Sequence, residues 1–309
     1  MLFLGVDAGG TNTRAAIHTA SGTRAGFGTA GGGNPAAHGS PAAAAAISTA
    51  LGQALRGIDP RSVVASVAGV AGADDTFSLH ETWTAHGLTH APRLVSDVDV
   101  AYAAGTPAPA GTLLLAGTGA AAARFAGRSI EAVTDGLGWL LGDLGSGFWL
   151  GRTGVAAAVR SLDTGAAPGP LVHLVADHFG VPSPSSHRPS RHLAEVIVRL
   201  AQKDRMTLAS AAPLVSRAAL ACDPLATRIV LQAAEHLVSA AVRLHRSGPI
   251  VVAGSVLTSD GPIRSMVLAR LPGEVVTARD YAGAASWLAA LDHLDAAPDS
   301  HRRFTGSTS

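Results

Sequence analysis

Residues 3–16 have the sequence FLGVDAGGTNTRAA, in which a short apolar run ends at Asp7 and is followed by two glycines and a Thr-Asn-Thr triplet. The pattern predicts strands at 2–7 and 14–19 joined by a tight turn. Glycines let a polyphosphate approach the backbone N–H groups of such a turn, and an acid beside phosphates holds Mg²⁺ through water. A plain β-hairpin turn has the same composition, so this stretch alone leaves both interpretations open.

The composition limits the class of protein. The chain has 309 residues, 47% hydrophobic and 15% charged, which is enough for two domains or one large α/β domain. The formal net charge of +1 argues against a nucleic-acid or membrane-surface partner. The one cysteine, Cys222, excludes an intramolecular disulfide, a cysteine-rich zinc site and an iron–sulfur cluster held by one chain. Because no apolar run could span a bilayer and no leader peptide is recognised, we expect a cytoplasmic protein.

Strands alternate with helices in the first third of the chain, which predicts an α/β domain. A Gly-, Asn- and Pro-rich loop is expected at 31–41. The expected elements around it are a strand at 25–30, a helix at 41–55, a strand at 62–72, a helix at 76–87 and a strand running into a helix at 93–105.

A Pro/Gly-rich joint, TPAPAG at 106–111, is the best candidate for a domain boundary. The elements predicted after it are a strand with a glycine turn at 112–127, a mostly helical region at 154–246, a third strand with a glycine turn at 248–257, and helices at 262–271 and 281–294. Three glycine turns, near residues 9, 117 and 254, are therefore expected to face one cleft.

The second glycine turn also fits another fold. Residues 117–122, GTGAAA, match the dinucleotide fingerprint G-x-G-x-x-A, with Glu131 or Asp135 as the acid beyond it. The stretch lies in mid-chain, and the RFAGRSI that follows favours a hairpin over a helix. A nicotinamide-dependent enzyme is therefore the weakest alternative.

Three acids are candidates for chemistry. Asp97 and Asp99 follow a predicted strand, where a carboxylate beside a cleft is a candidate general base. Residues two apart on a helix lie on different faces, so at most one of them points into a site, and a helix N-cap at Asp97 is the structural alternative. Asp143 lies between glycines in TDGLGWLLGDLGSGFWLG at 134–151, which suits a polyol ligand or a capped helix start.

Six motifs occur in order over residues 2–292: GVDAGGTNTRAA, GGGNPAAHG, VSDVDVAYAAG, LLLAGTGA, DGLGWLLGDLGSGFWLG and IVVAGSVL. With them the chain resembles the N-acetylglucosamine kinase/BadF-type ATPase family of the sugar kinase–Hsp70–actin superfamily. The resemblance implies an α/β fold of two actin-like (ribonuclease H-like) lobes with a central nucleotide and sugar cleft and a helical insertion in the second lobe. The implied ranges are 1–110 plus 283–295 for the first lobe, 111–282 for the second, about 154–246 for the insertion and 296–309 for a disordered tail.

The resemblance also implies the site residues, with ATP and Mg²⁺ as cofactors and an amino sugar as the small-molecule partner. Asp97 would be the catalytic base that takes the proton from the sugar hydroxyl, and Asp7 would hold the metal. The implied ATP-binding residues are Gly9, Gly10, Thr11, Asn12, Thr13, Gly117, Thr118, Gly254 and Ser255. The implied substrate-binding residues are Asn34, Asp97, Thr118, Gly119 and Asp143.

The expected reaction is ATP-dependent phosphorylation of N-acetylglucosamine or glucosamine at the 6-hydroxyl. Ala120, Ala121 and Leu144 depart from the family pattern by replacing polar residues and an acid, which leaves the sugar unspecified. These departures motivate the alternative of a non-catalytic or regulatory ATP-binding protein of the same fold. The family's iron–sulfur activators are excluded because Cys222 lies in a predicted helix. Members of the family often pair, which leaves a homodimer open.

Overall fold

The computed structural model describes residues 1–182, 184, 190–294 and 298–306. The strands are β1 (Leu2–Ala8), β2 (Thr13–Thr19), β3 (Arg24–Ala30), β4 (Val63–Val70), β5 (Arg93–Val95), β6 (Gly111–Ala116), β7 (Ala120–Ala126), β8 (Ser129–Asp135), β9 (Ile250–Ala253) and β10 (Val275–Thr277). The helices are α1 (Pro35–His38), α2 (Ser40–Ala54), α3 (His80–Ala85), α4 (Asp97–Ala103), α5 (Gly138–Leu141), α6 (Gly147–Thr164), α7 (Pro170–His178), α8 (Arg191–Lys203), α9 (Met206–Ser210), α10 (Ala212–Leu220), α11 (Pro224–Leu244), α12 (Ser255–Thr258), α13 (Pro262–Leu268), α14 (Tyr281–Ala290) and α15 (Pro298–Thr305).

Internal contacts divide the chain into two compact units. The first consists of Met1–Leu113, Phe125–Ile130 and Val276–Ser309, and the second of Leu114–Arg124 and Glu131–Val275. Besides a shift of the first boundary from 110 to 113, two segments lie in a different unit from the one predicted. The hairpin tip at 125–130 lies in the first unit because it packs there, and the chain returns to the first unit at 276 rather than at 283.

The first unit is built on a sheet of order β3-β2-β1-β4-β5. β1 pairs antiparallel with β2 and parallel with β4, so it lies at the centre of the sheet. Alternate residues of β1 lie on opposite faces. Leu4 and Val6 pack with Ile47 of α2 in one hydrophobic cluster. On the other face a Cβ on Gly5 would collide with the backbone of α14, so alternation assigns Asp7 to the α14 face.

The predicted disordered tail is wrong for the part that the structure describes. Residues 298–305 form α15, and Phe304 is only 1% exposed. The Phe304 ring centroid lies 5.2 Å from that of His18 and 6.3 Å from that of Phe3. Burying one such side chain stabilises a fold by about 1.5–3 kcal/mol, which outweighs the polar composition that suggested disorder. The remaining tail positions, 296–297 and 307–309, lie outside the described residues.

The second unit is built on a sheet of order β10-β9-β6-β7-β8. β7 and β8 are joined by a two-residue loop, Gly127 and Arg128, in which both residues have positive φ, 57° and 66°. Such loops match the twist of antiparallel strands, and the predicted hairpin is confirmed. Six helices, α6 to α11, occupy most of the predicted insertion and enclose a large apolar core. None of the helices within the described residues is long and apolar enough to cross a membrane.

Candidate active site

Asp7 lies near the end of the central strand of the first unit. In the sheet register it is opposite Arg14 of β2 and Gly69 of β4. Its Oδ2 is 3.4 Å from Nη1 of Arg14. Burial raises the pKa of Asp7 to about 7, the carboxylates of Asp97 and Asp280 raise it further, and Arg14 lowers it. The ion pair with Arg14 therefore only partly compensates for the burial of this acid, and a cation would stabilise its charged form.

Asp97 is the first residue of α4, and it is not the N-cap. Ser96 is the cap: its Oγ accepts from the N–H of Asp99 at 3.1 Å, and its own N–H donates to Oδ2 of Asp99 at 3.0 Å. This reciprocal capping box engages the carboxylate of Asp99 and leaves that of Asp97 outside the cap. Burial raises the pKa of Asp97, hydrogen bonding to the backbone at Asp97 and Val98 lowers it, and the neighbouring charge of Asp99 raises it, with a net shift upward. A raised pKa makes this carboxylate a stronger base.

The glycine turn after β1 is tied to the loop that precedes α1. Gly9 accepts a backbone hydrogen bond from Gly33 at 2.9 Å and donates one to Asn12 at 3.0 Å. The Nε2 atom of His38 lies 2.7 Å from the carbonyl oxygen of Gly10. The hydroxyl of Thr13 donates a hydrogen bond to the carbonyl of Gly31 at 2.8 Å. Thr11, Asn12 and Gly10 are exposed.

Gly10 has no steric reason within the described protein to be a glycine. Its φ is not positive, and an added Cβ would have no described atom within 4 Å. The open space beside it is what close approach of an external ligand to the backbone requires.

Asn34 caps α1 beside this turn. Its Oδ1 accepts from the N–H of Ala37 at 3.0 Å, and both amide atoms lie against Gly72. The cap fixes the orientation of the amide group and engages its acceptor, while the NH₂ of a capping asparagine retains two donors. Asn34 can therefore present donors of fixed direction to a hydroxyl ligand.

Asp280 is a further acid of this site that the sequence analysis did not identify. It caps α14 by accepting from the N–H of Gly283 at 3.0 Å, and it forms an ion pair with Arg24. An aspartate directly before a predicted helix is a recognised N-cap signal, so its structural role was detectable from the sequence. Its proximity to Asp7 was not, because that follows from the packing of α14 on β1.

In the second unit, the glycine turn after β6 is packed against the start of α6. The N–H groups of Gly147 and Phe148 donate to the carbonyls of Gly117 and Thr118 at 2.8 and 3.1 Å, and that of Trp149 donates to Oγ of its N-cap, Ser146, at 3.1 Å. The first amides of α6 are thus used inside the protein rather than offered to an anion.

The predicted acid of the second unit, Asp143, lies over this turn. A Cβ placed on Gly119 would be 2.9 Å from its Oδ2. Burial raises the pKa of Asp143, while backbone hydrogen bonds at Ala120 and Gly138 lower it. Asp143 has a φ of 55°, a conformation that costs a non-glycine residue energy and needs support.

Asp135 supplies that support. Its two carboxylate oxygens accept from the N–H groups of Asp143 and Leu144 at 2.6 and 2.8 Å. In the sequence Asp135 was considered only as a dinucleotide acid, and that interpretation is wrong. The GTGAAA turn leads into strand β7, whereas the dinucleotide fingerprint needs a helix N-terminus at the phosphates.

Part of the predicted nucleotide-binding set lines one pocket of about 490 Å³ within the second unit. Gly117, Thr118 and Ser255 belong to its wall. Gly254, with φ at 82°, packs directly against Ala116. The wall also includes Ser216 and Arg217 of α10, which the sequence analysis did not select because a polar pair on a mostly apolar helix gives no specific signal.

The donor set fits one hydrated Mg²⁺ and no dedicated metal cage. Within the described residues no group of three or more His, Cys, Asp or Glu side chains could hold a metal. Mg²⁺ is commonly held by one or two carboxylates together with substrate phosphates and waters, so the under-compensated acid Asp7 suffices.

The comparisons with known structures agree with this architecture. A presumed N-acetylglucosamine kinase from Chromobacterium violaceum is 24% identical, with a TM-score of 0.73 over 93% of this chain and 98% of that one. The corresponding protein from Porphyromonas gingivalis is 23% identical, with a TM-score of 0.71 over 94% and 99%. A ROK-family glucokinase from Streptomyces griseus, solved with glucose and AMPPNP, is 18% identical, with a TM-score of 0.57 over 94% and 100%. These likenesses establish the two-lobed actin-like fold.

Sequence comparison gives the family. Curated protein sequences gave no match. The family model described as the BadF/BadG/BcrA/BcrD ATPase family matches residues 4–284, which is most of the chain. The match spans every motif on which the resemblance rested, from the β1 turn to the start of α14. The chain therefore belongs to the BadF/BadG/BcrA/BcrD ATPase family.

Proposed function

We propose that this protein is an ATP-dependent kinase of an amino sugar, with N-acetylglucosamine or glucosamine as substrate and the 6-hydroxyl as acceptor. One observation carries the proposal. Ser96 and Asp99 complete the helix cap of α4 between themselves, so that Asp97 is left as a half-buried acid of raised pKa beside Asp7.

The first unit would bind the sugar and accept its proton. Asp97 accepts the proton of the attacking hydroxyl, and Asn34 donates hydrogen bonds to a neighbouring hydroxyl from an amide fixed by its cap. Asp7 and the turn at Gly9–Thr13 would hold the metal-bound phosphates. Mg²⁺, when bound, neutralises negative charge on the transferring phosphoryl group.

The second unit would bind the nucleoside and orient the sugar. Gly117 and Thr118 face the pocket to which Ser255 belongs, and we assign the nucleoside to that pocket. Asp143, held by Asp135, would accept hydrogen bonds from sugar hydroxyls. Phosphoryl transfer depends on positioning and charge neutralisation, which these groups would supply without covalent chemistry.

Three observations support the substrate class. The chain belongs to an ATPase family, and its fold is similar to two presumed N-acetylglucosamine kinases and to a glucokinase. The carboxylate and amide groups of Asp97, Asp143 and Asn34 support a polyhydroxyl substrate, because they suit hydrogen bonds with adjacent hydroxyls.

A regulatory ATP-binding protein is the second candidate, because Ala120, Ala121 and Leu144 remove polar groups next to the second turn. The backbone N–H of Leu144 nevertheless keeps its bond to Asp135, so the loss of an acid at position 144 leaves this loop anchored. That retained geometry favours catalysis.

The test is ATP consumption with Mg²⁺ and a panel of glucosamine, N-acetylglucosamine, N-acetylmannosamine, N-acetylmuramic acid and glucose. We expect one amino sugar to stimulate turnover strongly, and phosphorus NMR of the product to show a 6-phosphate. ATP binding without stimulation by any sugar would contradict the kinase proposal and favour the regulatory one.

A further inference from the structure

The first unit contains a cavity of about 380 Å³ that no step of the proposed function uses. It lies among α4, the tip of the β7–β8 hairpin and α14. The polar or aromatic side chains that define it are Arg93, Asp99, Tyr102, Phe125, Arg128 and Trp287. Its volume is in the range of small-molecule sites.

Tyr102 brings an unpartnered donor to this cavity. The residue is 4% exposed, and its buried hydroxyl has no hydrogen-bond partner within the described residues. Its ring stacks on Phe125 with centroids 4.1 Å apart, which fixes where the hydroxyl lies. Burial raises the pKa of Tyr102 to about 12, so the hydroxyl stays protonated at neutral pH. A buried hydroxyl without a partner is costly, and its retention calls for an explanation.

Two guanidinium groups line the same cavity. Arg128 lies over the Trp287 ring at 5.0 Å, and its backbone is fixed by the two-residue hairpin loop and by donation from its N–H to Pro109 at 2.7 Å. Arg93 donates one Nη2 bond to the carbonyl of Leu288 at 3.1 Å, which leaves further N–H donors on a group that has five. Neither arginine forms an ion pair within the described residues.

Among the described residues of the cavity wall Asp99 is the one acid, and it forms no ion pair with Arg93 or Arg128. Asp99 accepts from both the N–H and the Oγ of Ser96, at 3.0 and 2.7 Å, in the cap of α4. The cavity thus combines the unpartnered hydroxyl of Tyr102 and two guanidinium groups with apolar walls that include Phe125 and Trp287.

We propose that this cavity binds a small organic oxyanion, a carboxylate or phosphate ester joined to a flat apolar group. Arg128 and Arg93 bind the oxyanion, the Tyr102 hydroxyl donates to it, and the apolar group packs on the hydrophobic wall. Planar guanidinium groups bind both carboxylate and phosphate in a bidentate manner, so the head group is named by this shared chemistry. The site is independent of the proposed kinase reaction, because none of these side chains belongs to that machinery.

The test is calorimetric titration of the full chain with phenyl phosphate, benzoate, inorganic phosphate and benzyl alcohol. We expect phenyl phosphate or benzoate to bind more tightly than inorganic phosphate, which lacks the apolar group, and than benzyl alcohol, which lacks the charge. The tighter of the two anions identifies the head group. Absence of binding by both aromatic anions would overturn the proposal.

Two variants in the cavity wall and one control outside it test whether the anion binds in this cavity. We expect Arg128→Gln to weaken binding by about tenfold or more, as loss of a charge-assisted hydrogen bond does, and Arg56→Gln, an exposed arginine outside the cavity, to leave it unchanged. We expect Tyr102→Phe to weaken binding while raising the thermal midpoint of the free protein, because it removes an unpartnered hydroxyl. Unchanged affinity in both cavity variants, with both folded by circular dichroism, would show that the anion binds elsewhere.

Discussion

The turn after β1 and the turn after β6 share one plan, an apolar strand, glycines and a returning strand, yet their surroundings differ. The first is tied to the protein mainly at Gly9 and Thr13, and its tip, Gly10, faces open space. The second has its carbonyls hydrogen-bonded by α6 and a carboxylate lying over Gly119.

Glycines in similar turns can be required by different neighbours. At Gly10 only an external ligand would occupy the space a side chain would fill. At Gly119 and at Gly254, which packs against Ala116, the protein itself occupies that space. Substitutions in the first turn should therefore act on binding, and those around the second turn should act on stability.

The largest expected effect is on kcat, and it distinguishes Asp97 of the first unit from Asp143 of the second. Asp97→Asn should lower kcat by about 10²–10⁴ with unchanged folding, because it removes the proposed general base. Asp143→Asn should chiefly raise KM for the sugar, by roughly 10–100-fold, since it weakens hydrogen bonds made to a charged acceptor. Steady-state kinetics on both variants measures the contrast. Near-normal turnover of Asp97→Asn would assign the base elsewhere.

The pH dependence of stability tests the burial of Asp7. The pKa of Asp7 in the folded protein, about 7, lies well above the ordinary value for an aspartate, so its contribution to stability is greatest at acidic pH and is lost as pH rises through 7. Asp7→Asn cannot ionise and should not show this loss. In metal-free buffer the variant should gain up to about 4 kcal/mol relative to the parent between pH 4 and pH 8, reduced by the lost Arg14 pair.

Urea unfolding at a series of pH values measures this difference. A constant offset between the two proteins across that range would mean that Asp7 ionises normally. ATP turnover of the variant should fall at every pH.

Alanine substitutions at one glycine of each kind test whether the glycines are required by different neighbours. Gly254→Ala should destabilise the protein by about 3 kcal/mol, because a Cβ would collide with the backbone of Ala116 and the φ of 82° disfavours it. Gly10→Ala should leave stability unchanged or raise it by about 0.4–1 kcal/mol, and weaken ATP binding. Equal effects on unfolding in the two variants would refute the distinction between the turns.

The smallest expected effect is on the free energy of unfolding, and it comes from removing the N-cap side chain of α4. Ser96→Ala should cost about 1 kcal/mol of unfolding free energy because it removes half of the capping box. If Asp97 acts as a base outside that cap, kcat should fall far less than in Asp97→Asn. A loss as large as that of Asp97→Asn would mean that the cap positions the base.

Much of the fold was predictable because its signals are local. Periodicity and turn composition predict the two strands on either side of the glycine turn after Asp7, the alanine-rich helix α2 and the hairpin after Gly119. The C-terminal helix α15 was missed because its polar sequence hides two residues, His301 and Phe304, that are buried only against distant strands and helices. The structural alternative of an N-cap at Asp97 is wrong because Ser96 is the cap; Ser96 and Asp97 are both good caps by residue type, and only the backbone geometry distinguishes them.

The sequence by itself determined the family and the two strand–glycine–strand turns, and it predicted Asp7, Asp97 and Asp143 as candidate acids, since these depend on residue type and spacing along the chain. The tertiary structure decided which acids are free. Ser96 engages Asp99, Asp135 supports Asp143, and α14 brings Asp280 close to Asp7. Burial and hydrogen bonding set the pKa of a carboxylate, and both depend on which residues distant in sequence become its neighbours.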